Sequence, residues 1–184
     1  LRFTVFGAMS YTLVSVQGSL TSLRVVNEVT HFTHYTIAHA HLGVYAFFTM
    51  IMFGAVYYIV PRLVDREWIS SLLIRVHFWG SAIGIIVYWV GLTFAGIWQG
   101  QLMNNPDIPF LEIVAKMIPY LWSRSWAGML MTVAHVAFAV SMWHMLRRNG
   151  AWLVGPTLFN SGRTLWNSLR DRASTRRRDE SGEI

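Results

Sequence analysis

The chain has no cysteine and few charged residues. Of its 184 residues, only 5 are proline and 13% are Asp, Glu, Lys or Arg. The lack of cysteine excludes disulfides, thiolate-bound iron–sulfur clusters and cysteine nucleophiles. Soluble domains usually carry about a quarter charged residues, whereas this chain is 54% hydrophobic. The composition therefore indicates a membrane protein.

Charge is absent from four long stretches of the sequence. About 20 apolar residues in a helix span the hydrocarbon of a bilayer. Helices of a soluble bundle would show one polar face, and these stretches are apolar all round. The sequence therefore predicts an all-α, polytopic bundle with about four transmembrane helices. The four predicted crossings are Phe3–Leu23, Thr36–Val60, Val76–Gln101 and Ser125–Leu146.

Proline and glycine predict where these helices end and meet. Pro61 follows the second crossing and predicts a helix stop there. Asn104–Ser123 contains three prolines and is predicted as a loop, with Phe110–Val114 lying along the membrane surface. Small residues in the third crossing predict close contact with a neighbouring helix. These residues are Gly80, Gly84 and Gly91.

Basic residues predict the orientation in the membrane. They are concentrated after the last crossing, so the C-terminus is expected on the cytoplasmic side. Loops 24–35 and 102–124 then face outward. Residues 149–184 are predicted to be a cytoplasmic basic tail, partly disordered. Arg176–Arg178 within it can attract anionic lipid or nucleic acid, but topology explains the charge better, so no nucleic-acid partner is expected.

His39 and His41 are the most informative residues of the charge-free second crossing. A polar ring in the membrane costs free energy unless it is bonded to something. Two positions apart on a helix corresponds to about 200°, so the two imidazoles should point to opposite sides. This spacing suits a helix between two metal centres, and imidazole is a common axial ligand of b-type haem. The alternative is a hydrogen bond from each ring to a backbone carbonyl.

The other histidines give weaker predictions. His31 and His34 fall in the outer loop just before the pair. His77 and His144 lie near predicted membrane boundaries and are interpreted as interfacial. His135 is placed in mid-membrane and is the only other candidate for a buried role. No acid–base pair, glycine-rich phosphate loop or Ser-His-Asp set is apparent.

Several segments in order resemble one known family. The stretch from Arg24 to Gly43 resembles the tenth transmembrane helix, with its preceding loop, of haem-copper oxidase subunit I. The likeness is closest to the C family, the cbb3-type cytochrome c oxidases, and covers roughly residues 1 to 148. Further matching segments are Phe53–Arg62, His77–Trp79 and Gly96–Gly100.

The resemblance implies a role for individual residues. His39 would be the axial ligand of the high-spin haem, where oxygen binds, and His41 an axial ligand of the low-spin haem b. His31 would lie near a haem propionate, whereas His34 has no role that carries over. Gln17 stands where many members have a glutamate that hydrogen-bonds the proximal histidine. A neutral amide there would make the imidazole of His39 less electron-donating.

The resemblance also implies cofactors, partners and location. The expected cofactors are two b-type haems, with copper supplied by upstream helices that this sequence does not include. Because a full subunit has about twelve crossings and this chain starts at Leu1, it is interpreted as a C-terminal part comprising the last four. The implied reaction is reduction of dioxygen to water with electrons from cytochrome c, coupled to proton translocation. Expected partners are the remainder of subunit I, c-type cytochrome subunits and the bacterial inner membrane.

Two other functions remain open from sequence. The large subunit of nitric oxide reductase has a similar His-x-x-His pattern before its haem ligands, and holds non-haem iron where the oxidase has copper. The second alternative is a non-enzymatic membrane subunit or a transporter. Transporters often place broken helices or carboxylates in the membrane, and the four predicted crossings contain no Asp or Glu.

Overall fold

The protein is described by a computed structural model that covers residues 1–148, 166–167 and 170. Regular structure in these residues is entirely helical, which confirms the predicted all-α class. Leu1–Ser141 forms one compact unit, and Met142–Ile184 is a separate one. The predicted tail, 149–184, lies almost wholly outside the described residues. The helices are α1 (Arg2–Thr21), α2 (Arg24–Thr30), α3 (His34–Leu63), α4 (Ser71–Met103) and α5 (Phe110–Arg148).

Three of these helices are long and apolar enough to cross a membrane, namely α3, α4 and α5. They correspond to the second, third and fourth predicted crossings. Helix α1 coincides with the first but does not meet the same criteria. It has the length, at 20 residues. Its hydropathy is lowered by polar side chains such as Ser10, Gln17 and Ser19. The structure thus confirms a multi-pass helical protein with three candidate spans.

The predicted helix stop at Pro61 is wrong, because α3 continues to Leu63. Proline has no amide hydrogen, so the carbonyl of Tyr57, four residues back, loses its helical partner. The indole Nε1 of Trp68 donates to that carbonyl at 2.9 Å and replaces the missing bond. The chain leaves the helix three residues later than predicted, through Asp65 at φ 50°.

The predicted loop Asn104–Ser123 is mostly helix. Only a short turn separates α4 from α5, which begins at Phe110 and includes Pro119. The carbonyl of Pro109 accepts from the amides of the first helical turn, so this proline starts the helix. Glu112 and Lys116 form an i,i+4 ion pair of 2.7 Å that supports the polar first turns. The segment expected along the membrane surface is therefore the beginning of α5.

Small residues bring α3, α4 and α5 together. The core joins Ala38, Leu42 and Ala46 of α3 to apolar residues of α4 and to Ala127 of α5. A Cβ on Gly80 would lie 2.8 Å from the Cβ of Ala134, too close without movement. All three glycines predicted to allow close helix contact face α5 in this way, which confirms that prediction. The residues they meet are Ala134, Met131 and Ser123.

Candidate functional site

The start of α3 is held firmly on α4. Thr33 caps α3 by accepting from the amide of Tyr35. Two glycines of α4, Gly96 and Gly100, lie directly under the backbone of the α2–α3 junction. A Cβ on Gly100 would overlap the carbonyl of Val29, and one on Gly96 would overlap the backbone of Tyr35. Only glycine allows this approach, so α4 fixes the position from which α3 enters the bundle.

His34 also holds the α2–α3 junction against α4. The Oε1 of Gln99 accepts from the backbone amide of His34 at 2.9 Å and lies 2.6 Å from its ring Nδ1. The nitrogen of the Gln99 side-chain amide cannot accept, so the atom that faces the backbone amide is the oxygen, and Nδ1 must donate to it. His34 is thus a positioning residue for the first turn of α3. Its role could not be predicted from the residues around it, because its partner lies 65 positions away.

His39 projects from α3 toward α1. A Cβ built on Gly18 would lie 3.3 Å from Cε1 and 3.6 Å from Nε2 of this imidazole. The ring therefore occupies space that any other residue at Gly18 would begin to fill. Its Nδ1 is buried and has no hydrogen-bond partner among the described residues.

His41 lies against a different helix, α4. Its ring centroid is 4.6 Å from that of Tyr88, and the Tyr88 hydroxyl is 3.4 Å from Nε2. Its Nδ1 is 2.9 Å from the carbonyl of Ile37, which can only accept, so Nδ1 carries the hydrogen. Nε2 then carries the lone pair that a metal ligand requires, and in this structure the Tyr88 hydroxyl lies against it. The neighbours of His39 and His41 agree with the opposed directions predicted from their spacing.

The backbone of α3 changes immediately after this pair. From Leu42 to Thr49 it winds as a π-helix, and the hydroxyl of Thr49 donates to the carbonyl of Val44, five residues back, at 2.8 Å. Such wide turns are rare and occur often at functional sites. No pattern in the surrounding residues indicates this change.

Gln17 and His31 make other contacts than those predicted. The buried Oε1 of Gln17 accepts from Nε1 of Trp89 at 3.2 Å, so Gln17 joins α1 to α4. In the described residues it has no bond to His39. His31 is exposed in the turn before α3, with its ring centroid 3.9 Å from that of Phe32. The proposed roles of both residues toward a haem stay predictions.

The prediction that His135 is the only other candidate for a buried role is wrong, because His77, interpreted as interfacial, is buried. It is fully buried, 2.9 Å from the hydroxyl of Tyr57 and with its ring centroid 5.4 Å from that of His135. Helix α4 begins at Ser71, earlier than predicted, so His77 is already inside the bundle. His135 is bonded to Tyr45 at 3.1 Å, and His144 is exposed.

The described residues fit single-imidazole ligation better than a shared metal centre. They contain no group of three or more His, Cys, Asp or Glu placed to hold one ion. An axial haem ligand needs only one imidazole from this chain, with space beside it. Gly18 leaves room for the ring of His39, and His41 has an oriented Nε2.

The sequence matches the family model described as cytochrome c and quinol oxidase polypeptide I over residues 1–130. A cytochrome c oxidase subunit 1 homolog of Agrobacterium tumefaciens is 34% identical over 137 residues, 71% of this chain and 25% of the relative. The cbb3-type cytochrome c oxidase subunit CcoN1 of Stutzerimonas stutzeri is 29% identical over 80% of this chain and 32% of the relative.

A nitric oxide reductase subunit of Stutzerimonas stutzeri is also similar, at 29% identity over 68% of this chain and 28% of the relative. The chain thus spans between a quarter and a third of the length of these curated relatives.

Proposed function

The chain belongs to the cytochrome c and quinol oxidase polypeptide I family, and on that basis we propose that it is the C-terminal part of a respiratory oxidase's catalytic subunit. The whole enzyme would reduce dioxygen to water with electrons from cytochrome c and couple this to proton translocation. This chain would supply one axial ligand to each of two b-type haems, His39 to the high-spin one and His41 to the low-spin one.

The single observation that carries the proposal is the placement of these two imidazoles against different helices. His39 faces Gly18 of α1, and His41 faces Tyr88 of α4, so one helix can serve two separate sites. The haems, when bound, supply electron transfer and oxygen binding. What the chain does is orient the imidazoles: Ile37 sets the tautomer of His41, and Gln99 holds the first turn of α3.

The proposal extends to the membrane arrangement. An α-helix of 20 residues is about 30 Å long, enough to cross the hydrocarbon, so α1 would be a fourth crossing. The arginines that follow α5 support a cytoplasmic C-terminus, and the proposed location is the bacterial inner membrane. The remainder of subunit I, c-type cytochrome subunits and lipid would be its partners.

Copper is proposed to come from the part of the subunit that this sequence does not include. The similarity to a nitric oxide reductase keeps a second function in view, in which non-haem iron takes that position. Metal analysis of the assembled complex separates the two. One copper in addition to haem iron supports the oxidase, whereas extra iron without copper supports the reductase.

The haem ligands are tested by optical spectra of the assembled complex. His41→Ala should abolish the low-spin haem bands, and His39→Ala should abolish the high-spin haem that binds carbon monoxide. His144→Ala is the matched control, because His144 is exposed. If the His39 and His41 variants both kept the complete spectrum, the ligand assignment would be wrong.

A further inference from the structure

A second pair of histidines lies in the interior of the bundle, apart from the proposed haem ligands. The rings of His77 on α4 and His135 on α5 have centroids 5.4 Å apart. Each ring is bonded through one nitrogen to a tyrosine of α3. Tyr57 lies 2.9 Å from Nδ1 of His77, and Tyr45 lies 3.1 Å from Nε2 of His135. The four side chains form the order Tyr57, His77, His135, Tyr45.

The remaining nitrogen of each imidazole is unpaired. His77 Nε2 and His135 Nδ1 are both buried and have no partner among the described residues. A buried polar atom without a hydrogen bond loses the bonds that water would make to it and gains none in return. Unpaired buried nitrogens therefore need an explanation. For two adjacent imidazoles, the simplest one is that they bind a proton or a water molecule.

The surroundings of the pair carry no charge. Phe3 of α1 and Phe53 of α3 pack on His77, as does Phe138 of α5. The titratable groups that contact the two imidazoles are Tyr57 and Tyr45, both from α3. No Asp, Glu, Lys or Arg contacts either ring in the described residues. The faces of these aromatic rings can offset part of the cost of holding an imidazolium in these surroundings.

Tyr57 connects this pair to one end of the bundle. A cavity of about 620 Å³ is lined by Tyr57, by apolar side chains such as Phe3 and Ile74, and by polar residues at the beginnings of α1 and α4. Arg2, Ser71 and Arg75 are among those residues, so the cavity lies where α3 ends and α4 begins. A hydroxyl can accept a proton and donate another, so Tyr57 can pass a proton between the cavity and His77.

We propose that His77 and His135 hold one exchangeable proton inside the bundle, and that Tyr57 admits it from the cavity beside Arg2 and Arg75. In each transfer an O–H bond of a hydronium ion in the cavity breaks, which leaves a neutral water, as an O–H bond forms on Tyr57. The hydrogen already on Tyr57 moves to the pair, where an N–H bond forms. The pair gains one positive charge and no electron moves. Release follows the reverse steps.

The proton balance of the complete complex tests this site. Reduction of the haems adds negative charge to the membrane interior, which favours proton uptake; this coupling rests on the proposed function. Purified complex would be reduced in weak buffer, and proton uptake followed with a pH-indicating dye between about pH 5.5 and 8.5. Complexes with His77→Asn or His135→Asn should each take up about one proton fewer than the wild type. The double variant should show the same deficit, because the two imidazoles share one proton.

His144→Asn is the matched control, since it removes an exposed histidine of α5. It should leave uptake unchanged. Tyr57→Phe keeps both imidazoles and should slow uptake by about tenfold or more without changing its final extent. This variant decides the question if the histidine variants do not assemble. Unchanged uptake in the histidine variants, or an unchanged rate in Tyr57→Phe, overturns the proposal.

The haem spectra of the same samples separate the two proposals. If the wild-type complex showed no haem bands, the proposed function would fail. If every variant kept normal haem bands and wild-type proton uptake, only the proton site would fail. The choice of substitutions makes this possible, because none of His77, His135 and Tyr57 contacts His39 or His41 in the described residues.

Discussion

The two histidine pairs of this bundle are built in opposite ways. His39 and His41 share one helix and turn away from each other, toward Gly18 of α1 and Tyr88 of α4. His77 and His135 come from different helices and pack ring against ring. The first arrangement leaves each imidazole to a separate ligand, whereas the second makes the two rings share one environment. Residue type alone therefore does not determine what a membrane histidine does.

The helix that carries His39 and His41 depends on glycines of α4 that lie under the α2–α3 junction, where it begins. Replacing one of them, Gly100, is expected to have the largest effect. Gly100→Ala would place a Cβ on the carbonyl of Val29, a backbone atom that cannot move aside. We expect the free energy of unfolding to fall by about 3 kcal/mol or more. The complex should also bind neither haem, because the start of α3, which leads to His39, could no longer pack on α4. Thermal unfolding and haem content of the purified complex measure this.

The control for that substitution is Gly128→Ala, since a Cβ on Gly128 meets nothing within 4 Å. It should unfold at the wild-type temperature with full haem content. Equal behaviour of the two variants would show that the α2–α3 junction does not depend on this contact.

The second pair can be broken without touching the first. His77→Leu should leave the Tyr57 hydroxyl without its partner and destabilise the complex by about 1–3 kcal/mol. Since His77 has no contact with His39 or His41 in the described residues, the haem bands should persist. The measurement is the unfolding temperature together with the optical spectrum. A loss of haem bands in otherwise folded complex would contradict the separation of the two regions.

A smaller change should distinguish the members of the first pair. Gly18→Ala adds a Cβ 3.3 Å from Cε1 of His39, tight enough to displace the ring by a few tenths of an ångström. We expect a shifted carbon monoxide difference spectrum for the high-spin haem and an unchanged low-spin band, because His41 lies on the other side of α3. Gly128→Ala again serves as the control. A shift of the low-spin band alone would reverse the assignment of the two ligands.

The opposed directions of His39 and His41 were predictable from sequence because they depend only on the spacing of two residues along one helix. Two positions on a helix are enough to give opposed directions, and the absence of charge predicted the helix. The pairing of His77 with His135 depends on how α4 packs on α5, which no local pattern encodes. The same holds for the clamp between His34 and Gln99.

Helix ends were predicted less well than helix interiors. Proline was interpreted as a stop, yet both Pro61 and Pro119 lie inside helices. At Pro61 the reason is a distant hydrogen bond from Trp68, which cannot be read from the residues around the proline. Interiors were predictable because apolar composition over spanning length is a property of the segment itself.

The smallest expected effect concerns that hydrogen bond. Trp68→Phe keeps an aromatic ring but removes the Nε1 hydrogen that the carbonyl of Tyr57 accepts. We expect the free energy of unfolding to fall by about 1 kcal/mol, the usual net contribution of one such hydrogen bond. The haem bands should be normal. Because Tyr57 also contacts His77, the variant should disturb the second histidine pair before the first. A lower unfolding temperature with changed proton uptake supports this order, and altered haem bands at wild-type stability would contradict it.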